Sequence, residues 1–105
     1  MTTDIEKALA NNIVPWKEIE YRTKTFWVFK DPTAPSEGYL CFTPANINAE
    51  CLYDCYKAAY KWGYNGIEED KWQGFNIVQS IGAVAGQDIN YPHIHMIPRR
   101  SGDLE

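Results

Sequence analysis

The chain of 105 residues has little of what marks several large classes of protein. It contains no apolar run approaching the roughly 20 residues that span a bilayer, and its N-terminus lacks the apolar core of a signal peptide. Only 10 residues are basic against 14 acidic ones, a net charge of −4, whereas a nucleic-acid surface requires a basic stripe. We therefore expect a cytoplasmic protein with no membrane contact and no broad nucleic-acid surface.

Cysteine is also scarce, with Cys41, Cys51 and Cys55 as the three examples. An odd number argues against a disulfide framework. Cys51 and Cys55 stand four residues apart and would share one face of a helix, so with two histidines they could form a Cys₂His₂ zinc site. Because free cysteine is among the most buried residue types, we favour core positions for both, and we expect no metal and no cofactor.

The patterns that are present fit one domain over residues 1–105. Thr3 and Glu6 form a capping-box pattern that opens a short helix, and Asn46 or Asn48 can cap a second helix that runs to about residue 62. Residues 63–70 are predicted as a loop, and the predicted strands cover residues 17–22, 26–29, 39–43, 75–81 and 93–97. Mostly short connections and segregated helices predict an α+β fold, with a five-stranded antiparallel sheet and two helices.

The only two histidines, His93 and His95, stand two apart in the last predicted strand. Alternation along a strand puts both on one face and Ile94 and Met96 on the other. The apolar face can pack on a core, while imidazole suits nucleophilic and acid–base chemistry near neutral pH. Upstream, the small residues of the loop 82–87 could let backbone N–H groups approach an anion. The histidine pair could also be a polar strand face or a metal-binding pattern.

Together these segments resemble the histidine triad (HIT) family of nucleotide-binding proteins. The family pattern combines Gly-Phe-Asn-Ile, a glycine loop ending in Ala-Gly-Gln, and alternating histidines followed by Pro-Arg. The matching segments here are residues 74–77, 82–87 and 93–99, with a Phe-Lys-Asp segment at 29–31 that resembles the family's Phe-x-Asp. The resemblance covers residues 26–99, and it implies a HIT-like fold.

The family's chemistry implies attack on the α-phosphate of a nucleotide conjugate, such as a dinucleoside polyphosphate or a nucleoside phosphoramidate. By resemblance, His93 is the nucleophile and forms a nucleotidyl-histidine, which water or another acceptor then cleaves. His95 would bind a phosphate oxygen or assist the leaving group, and Gln87 with the loop amides would hold the developing negative charge. The same resemblance carries nucleotide binding over to Phe29 (base), Asp31 (ribose), Ser80, Gly86, Asp88, Tyr91 and Arg99.

The chain departs from the family pattern at the first histidine of the triad. Tyr91 and Pro92 stand there, so the motif reads Tyr-Pro-His-Ile-His. The family's first histidine helps to orient the middle one, and the hydroxyl of Tyr91 could supply that hydrogen bond to His93. Tyr39 likewise stands where the family usually has a further histidine.

A second departure is Asp88, which replaces a serine or threonine and would repel a phosphate unless Arg99, Lys30 or a metal neutralised it. Asp31 could be a turn residue rather than a ribose ligand. The resemblance implies a hydrolase or nucleotidyltransferase that forms a homodimer with one continuous sheet. The alternatives are a nucleotide-binding protein with weak or no turnover and a zinc-dependent structural protein.

Overall fold

A computed structural model describes residues 2–34 and 36–104. Within them, two α-helices accompany five strands: α1 Asp4–Ala10, β1 Glu18–Arg22, β2 Phe26–Lys30, β3 Leu40–Pro44, α2 Ala49–Glu68, β4 Gly74–Val78 and β5 Ile94–Arg99. A short 3₁₀ turn at Ala83–Ala85 lies between β4 and β5. The strands form one antiparallel sheet in the order β1-β2-β3-β5-β4. The predicted α+β class, strand number and helix number are confirmed.

The first helix begins with the predicted capping box. The Thr3 hydroxyl accepts a hydrogen bond from the Glu6 amide, and the Glu6 carboxylate accepts one from the Thr3 amide at 3.0 Å. Asn12, with φ of 58°, takes the left-handed conformation after the helix ends. α1 and the segment that follows it cover the β2–β3 half of one sheet face. The cluster that they bury comprises Ile5, Ala8, Val14, Trp16, Phe29, Cys41, Ala45 and Tyr91.

The second helix covers the opposite face of the sheet. Asn48 is its N-cap and accepts a hydrogen bond from the Cys51 amide at 2.8 Å, which selects Asn48 over Asn46. Cys51 and Cys55 are buried along the inner stripe of α2, so the prediction that they are core residues is confirmed. The cluster beneath α2 contains Val28, Leu40, Phe42, Cys55, Ala59, Trp72, Ile94 and Met96.

The prediction that α2 stops near residue 62 and gives way to a loop is wrong, because the helix continues to Glu68. Glycine inside a helix is unfavourable by roughly 1 kcal/mol relative to alanine, which made Gly63 and Gly66 resemble a stop signal. In the fold, the ring of Phe75 lies 2.5 Å from where a Cβ on Gly63 would stand, and the Trp72 indole occupies the corresponding space at Gly66. Aromatic packing therefore favours the helix there.

Several strand boundaries also differ from prediction. Pro44, predicted to stop the third strand, is its last residue and pairs with Phe26. β4 ends at Val78 rather than at residue 81, and β5 starts at Ile94, one residue after His93. β1 is an edge strand with all five residues exposed. None of the helices in the described ranges combines the length and the hydropathy that a bilayer crossing requires.

Candidate functional site

The candidate site lies on one face of β5, and the other face of this strand packs into the core. Ile94 and Met96 are buried in the cluster beneath α2, whereas His95 faces the opposite side of the sheet. His93 lies just before the strand, and its ring meets that of His95 edge-on, with centroids 4.7 Å apart. The prediction that both imidazoles share a face is confirmed by this contact.

His93 is more enclosed than a polar strand face would be, since only 4% of its surface is exposed. Its ring packs edge-on against Trp16 at 5.3 Å. Its Nδ1 lies 2.7 Å from the backbone carbonyl of Tyr91, and a carbonyl can only accept, so Nδ1 carries the proton. The neutral ring then has its lone pair on Nε2, which is the form that a nitrogen nucleophile needs.

Tyr91 therefore acts on His93 through its backbone, not through its side chain. The Tyr91 hydroxyl donates to the carbonyl of Pro44 at 2.5 Å, and the ring is buried with α1. Burial raises the pKa of the phenol, so the hydroxyl keeps its proton. The predicted hydrogen bond from the Tyr91 hydroxyl to His93 is wrong, because the side chain is a core residue whose hydroxyl satisfies a buried carbonyl.

His95 has its own pair of hydrogen-bonding partners. Its Nδ1 lies 2.7 Å from the hydroxyl of Tyr39 and 3.4 Å from the Sγ of Cys41, which stands opposite His95 in the β3–β5 pairing. Burial raises the pKa of Tyr39 to about 12 and that of Cys41 to about 12, so both remain protonated near neutral pH. Neither contact was predicted from the sequence.

The charges around His95 act in opposite directions. Burial, and then the neighbouring His93, lower the pKa of His95, while the carboxylates of Asp88 and Asp31 raise it by a smaller amount. The net direction is downward, which favours the neutral imidazole.

The loop 82–87 is exposed and is held together largely by Gln87. The Gln87 side chain accepts from the Gly82 amide at 2.7 Å and donates to the Ile89 carbonyl at 2.9 Å. Gly82 and Gly86 have φ values of 87° and 94°, the left-handed region that suits glycine. The amides of Ala85, Gly86 and Gln87 donate to carbonyls inside the same loop. Gln87 thus shapes the loop, and its role toward phosphate stays a prediction.

The base-packing role carried over to Phe29 is wrong, because Phe29 is completely buried (0% exposed) between the rings of Trp16 and Trp27. A cleft of about 430 Å³ lies beside it and is lined by Pro15, Trp16, Lys17, Glu18, Asp31, Pro32, Thr33 and Ile89. Sequence reasoning missed Trp16 and Ile89, which lie in segments without helical or strand periodicity. A larger cavity of about 680 Å³ opens toward α2 and has Asp31 and Tyr39 in its lining. Neither histidine is among the described residues that line this cavity or the cleft.

The sequence left two roles open for Asp31, that of a turn residue and that of a ribose ligand. Its carboxylate accepts from the Thr33 amide at 2.9 Å and from the Thr33 hydroxyl at 2.7 Å, which is a turn role. These hydrogen bonds hold the pKa of Asp31 below its usual range. The residue also lines the cleft beside Trp16, so the ribose role stays a prediction.

The remaining predicted positions are Ser80, Asp88 and Arg99. Ser80 lies two residues beyond Val78, the β4 partner of His95. Asp88 is exposed, and within residues 2–34 and 36–104 it forms no ion pair with Arg99 or Lys30. Arg99 instead donates to the Asn76 side chain at 2.7 Å, at the far end of β5. Arg99 therefore does not neutralise Asp88, which was one of the ways in which the charge could have been offset.

The zinc alternative finds no support in this arrangement. Cys55 lies on the inner face of α2, on the side of the sheet opposite to His95. Across the described part of the chain, no three histidine, cysteine, aspartate or glutamate side chains come together as a metal-binding group.

Comparison with known proteins agrees with the fold. A histidine triad nucleotide-binding protein of Sulfolobus tokodaii, described as hypothetical, matches 91% of this chain and 68% of its own length with a TM-score of 0.70 at 25% identity. The diadenosine triphosphate hydrolase of Plasmodium falciparum, solved with cyclomarin A, matches 84% of this chain and 65% of its own length with a TM-score of 0.72 at 23% identity. The chain has the HIT fold.

At the sequence level the HIT-like chain has one short match. It is 53% identical over 34 residues to an uncharacterized HIT-like protein of Methanocaldococcus jannaschii. This segment spans 32% of the chain and only 26% of that relative. No protein-family model matches the sequence.

Proposed function

We propose that this HIT-like chain binds a nucleotide conjugate and cleaves it at the α-phosphate through a nucleotidyl-histidine on His93. The observation that carries the proposal is the 2.7 Å hydrogen bond between His93 Nδ1 and the Tyr91 carbonyl. It leaves the Nε2 lone pair of a neutral ring free to attack phosphorus, and it stabilises the positive charge that the ring gains when the N–P bond forms.

The reaction balances in two steps. In the first, Nε2 of His93 bonds to the α-phosphorus, the bond to the leaving group breaks, and the leaving group takes the electron pair. In the second, water attacks phosphorus, the P–N bond breaks, and Nε2 recovers its lone pair while a proton from water passes to solvent. In this proposal His95, whose ring lies 4.7 Å from that of His93, hydrogen-bonds a phosphate oxygen.

The nucleoside is proposed to occupy the cleft beside Trp16 rather than to pack on Phe29. The Trp16 ring contacts both the cleft and His93, so an aromatic wall connects the two. Asp31 and Ile89 also line this cleft, one with a carboxylate that suits ribose hydroxyls and the other with an apolar surface that suits a base.

A binding protein with weak or no turnover is the second candidate, and two observations favour it. Asp88 is exposed near the histidines without Arg99 or Lys30 paired to it. Several loop amides already donate to loop carbonyls, so they are not available to a phosphate until the loop rearranges. Such a protein would be stabilised by nucleotide but would release no product.

The decisive experiment is trapping of the covalent intermediate with diadenosine triphosphate. Wild-type protein quenched with denaturant at alkaline pH, where the P–N bond of a nucleotidyl-histidine survives, should gain the mass of one adenylyl group, and His93→Ala should not. Turnover should fall by about 10³-fold or more in that variant, as when a nucleophile is removed. Tyr53→Phe, at an exposed position of α2, is the matched control and should retain turnover. Undiminished hydrolysis by a folded His93→Ala protein would overturn the proposal.

A second pair of variants tests where the nucleoside binds. Ile89→Ala should weaken adenosine monophosphate binding by about fivefold to tenfold, because it removes apolar surface from the cleft. Phe29→Leu should lower thermal stability and leave the dissociation constant unchanged. Weaker adenosine monophosphate binding by Phe29→Leu, with unchanged binding by Ile89→Ala, would indicate that the base packs on Phe29.

We also propose the homodimer that the family resemblance implies, paired along the free edge of β4. Val78 is exposed on that strand, and α2 presents a row of exposed tyrosines beside it: Tyr56, Tyr60 and Tyr64. Sedimentation velocity should give twice the mass of one chain, and Val78→Lys should shift the protein toward monomer. A monomer at 100 µM, a concentration chosen to favour assembly, would exclude this dimer.

A further inference from the structure

Two hydrogen-bearing groups converge on one nitrogen of His95. The Tyr39 hydroxyl lies 2.7 Å from Nδ1, and its ring packs edge-on against the imidazole at 5.5 Å. The Cys41 thiol lies 3.4 Å from the same nitrogen. Tyr39 immediately precedes β3 and Cys41 belongs to it, so pairing of β3 with β5 brings both groups to His95.

The protonation states of Tyr39 and Cys41 bear on which ring nitrogen of His95 carries the hydrogen. Tyr39 and Cys41 both have a pKa raised to about 12 by burial, so each retains its hydrogen near pH 7. Each can therefore donate to Nδ1, and with Nδ1 as the acceptor the hydrogen of a neutral ring lies on Nε2. The other charges that act on His95 are those of His93, Asp31 and Asp88, and their net effect with burial lowers its pKa.

We infer that Tyr39 is a positioning residue that holds His95 as a neutral Nε2–H donor, and that the site therefore cleaves nucleotide phosphoanhydrides in preference to alkyl phosphoramidates. This inference rests on the proposed function, since it concerns the group that leaves when His93 attacks. Tyr39 itself need not touch the substrate.

The preference follows from what a neutral imidazole can do for each leaving group. Its Nε2–H can hydrogen-bond an oxygen but is far too weak an acid to transfer its proton. In a phosphoanhydride, the P–O bond breaks and the leaving phosphate carries the electron pair as a stable anion, since its second pKa is about 6. In an alkyl phosphoramidate, the nitrogen must receive a proton before the P–N bond breaks, which requires a general acid.

The state of His95 can be measured without any substrate. In ¹⁵N-labelled protein at pH 7, imidazole nitrogen shifts should show His95 with a bare Nδ1 and a protonated Nε2. Tyr39→Phe removes the donor from the neutral form, so the pKa of His95 should rise in that variant. Tyr53→Phe should leave it unchanged. A His95 protonated on Nδ1 or on both nitrogens at pH 7 would overturn the inference.

The leaving-group preference is measured with two substrates that share adenosine. Diadenosine triphosphate should have a kcat/KM about 100-fold higher than an alkyl phosphoramidate of adenosine monophosphate, the lower range of what a general acid contributes. Tyr39→Phe should narrow this ratio by about tenfold as His95 becomes a better acid. Equal cleavage of both substrates, or a ratio that Tyr39→Phe leaves unchanged, contradicts the inference while the proposed function stands. Cleavage of neither substrate, with no covalent adduct, contradicts the proposed function, and the nitrogen shifts still decide the tautomer.

Discussion

The two faces of the sheet are closed in different ways. Beneath α2, the packing depends on shape, because the rings of Phe75 and Trp72 occupy the space that side chains at positions 63 and 66 would fill. On the α1 side, the closure also uses polar groups, such as the Tyr91 hydroxyl on the Pro44 carbonyl. The first face tolerates no added atom at its glycines, whereas the second contains the hydrogen-bonded groups that can do chemistry.

The largest effect on stability is expected beneath α2, where the packing depends on shape alone. Gly66→Ala places a methyl group inside the Trp72 indole and should destabilise the protein by about 3 kcal/mol, the upper end of the usual range for overpacking. The midpoint of urea unfolding measures this. Gly74→Ala is the control, since nothing lies within 4 Å of its added Cβ. Equal midpoints for the two variants would show that α2 can move away from the indole.

A smaller effect is expected on the α1 side from removal of one hydroxyl. Tyr91→Phe leaves the buried Pro44 carbonyl without that donor and should lower the free energy of unfolding by about 2 kcal/mol. Turnover at saturating substrate should stay within about twofold of wild type, because His93 is held by the Tyr91 backbone carbonyl, which phenylalanine retains. Loss of turnover without loss of stability would instead indicate that the Tyr91 hydroxyl acts in the active site.

The N-terminal cap of α1 should contribute less. Thr3→Ala removes the oxygen that accepts from the Glu6 amide, and this should lower stability by about 1 kcal/mol. Because α1 covers the Trp16 side of the sheet and not the α2 side, hydrogen exchange should quicken mainly in residues 4–10. Uniform acceleration across β4 would mean that the two faces are not independent.

The last prediction changes pH and not sequence. His95 has a lowered pKa in the folded protein, so on acidification from pH 7.5 to 5.5 the unfolded chain takes up a proton near its ordinary pKa of about 6.5 before the folded chain does. Stability should therefore fall over this window. Denaturant midpoints for wild type and His95→Gln should show a steeper loss in wild type, and parallel loss in both would contradict the assigned direction.

Much of the site could be predicted from local pattern. The two-residue spacing of His93 and His95 put them on one face, and the Thr3 and Glu6 capping box marked the start of α1. Both depend on neighbours along the chain. The end of α2 could not be predicted, because Gly66 is a poor helix former whose compensation comes from Trp72, six residues further on.

The errors at Phe29 and Tyr91 have a related cause. A motif assigns a residue type to a position, but it does not say which way the side chain turns once a second layer packs on the sheet. α1 and Trp16 cover Phe29 completely and draw the Tyr91 ring into the same cluster.

By itself, the sequence determined the α+β class, the shared face of the two histidines and the resemblance to the HIT family, since alternation and capping are local properties of the chain. Only the tertiary structure decided that the backbone of Tyr91 orients His93 and that Tyr39 and Cys41 meet at His95. The contacts at His95 join residues that are far apart in sequence. The contact at His93 depends on the backbone of Tyr91, because the side chain of Tyr91 is buried elsewhere. Strand pairing and burial, not residue order, set both.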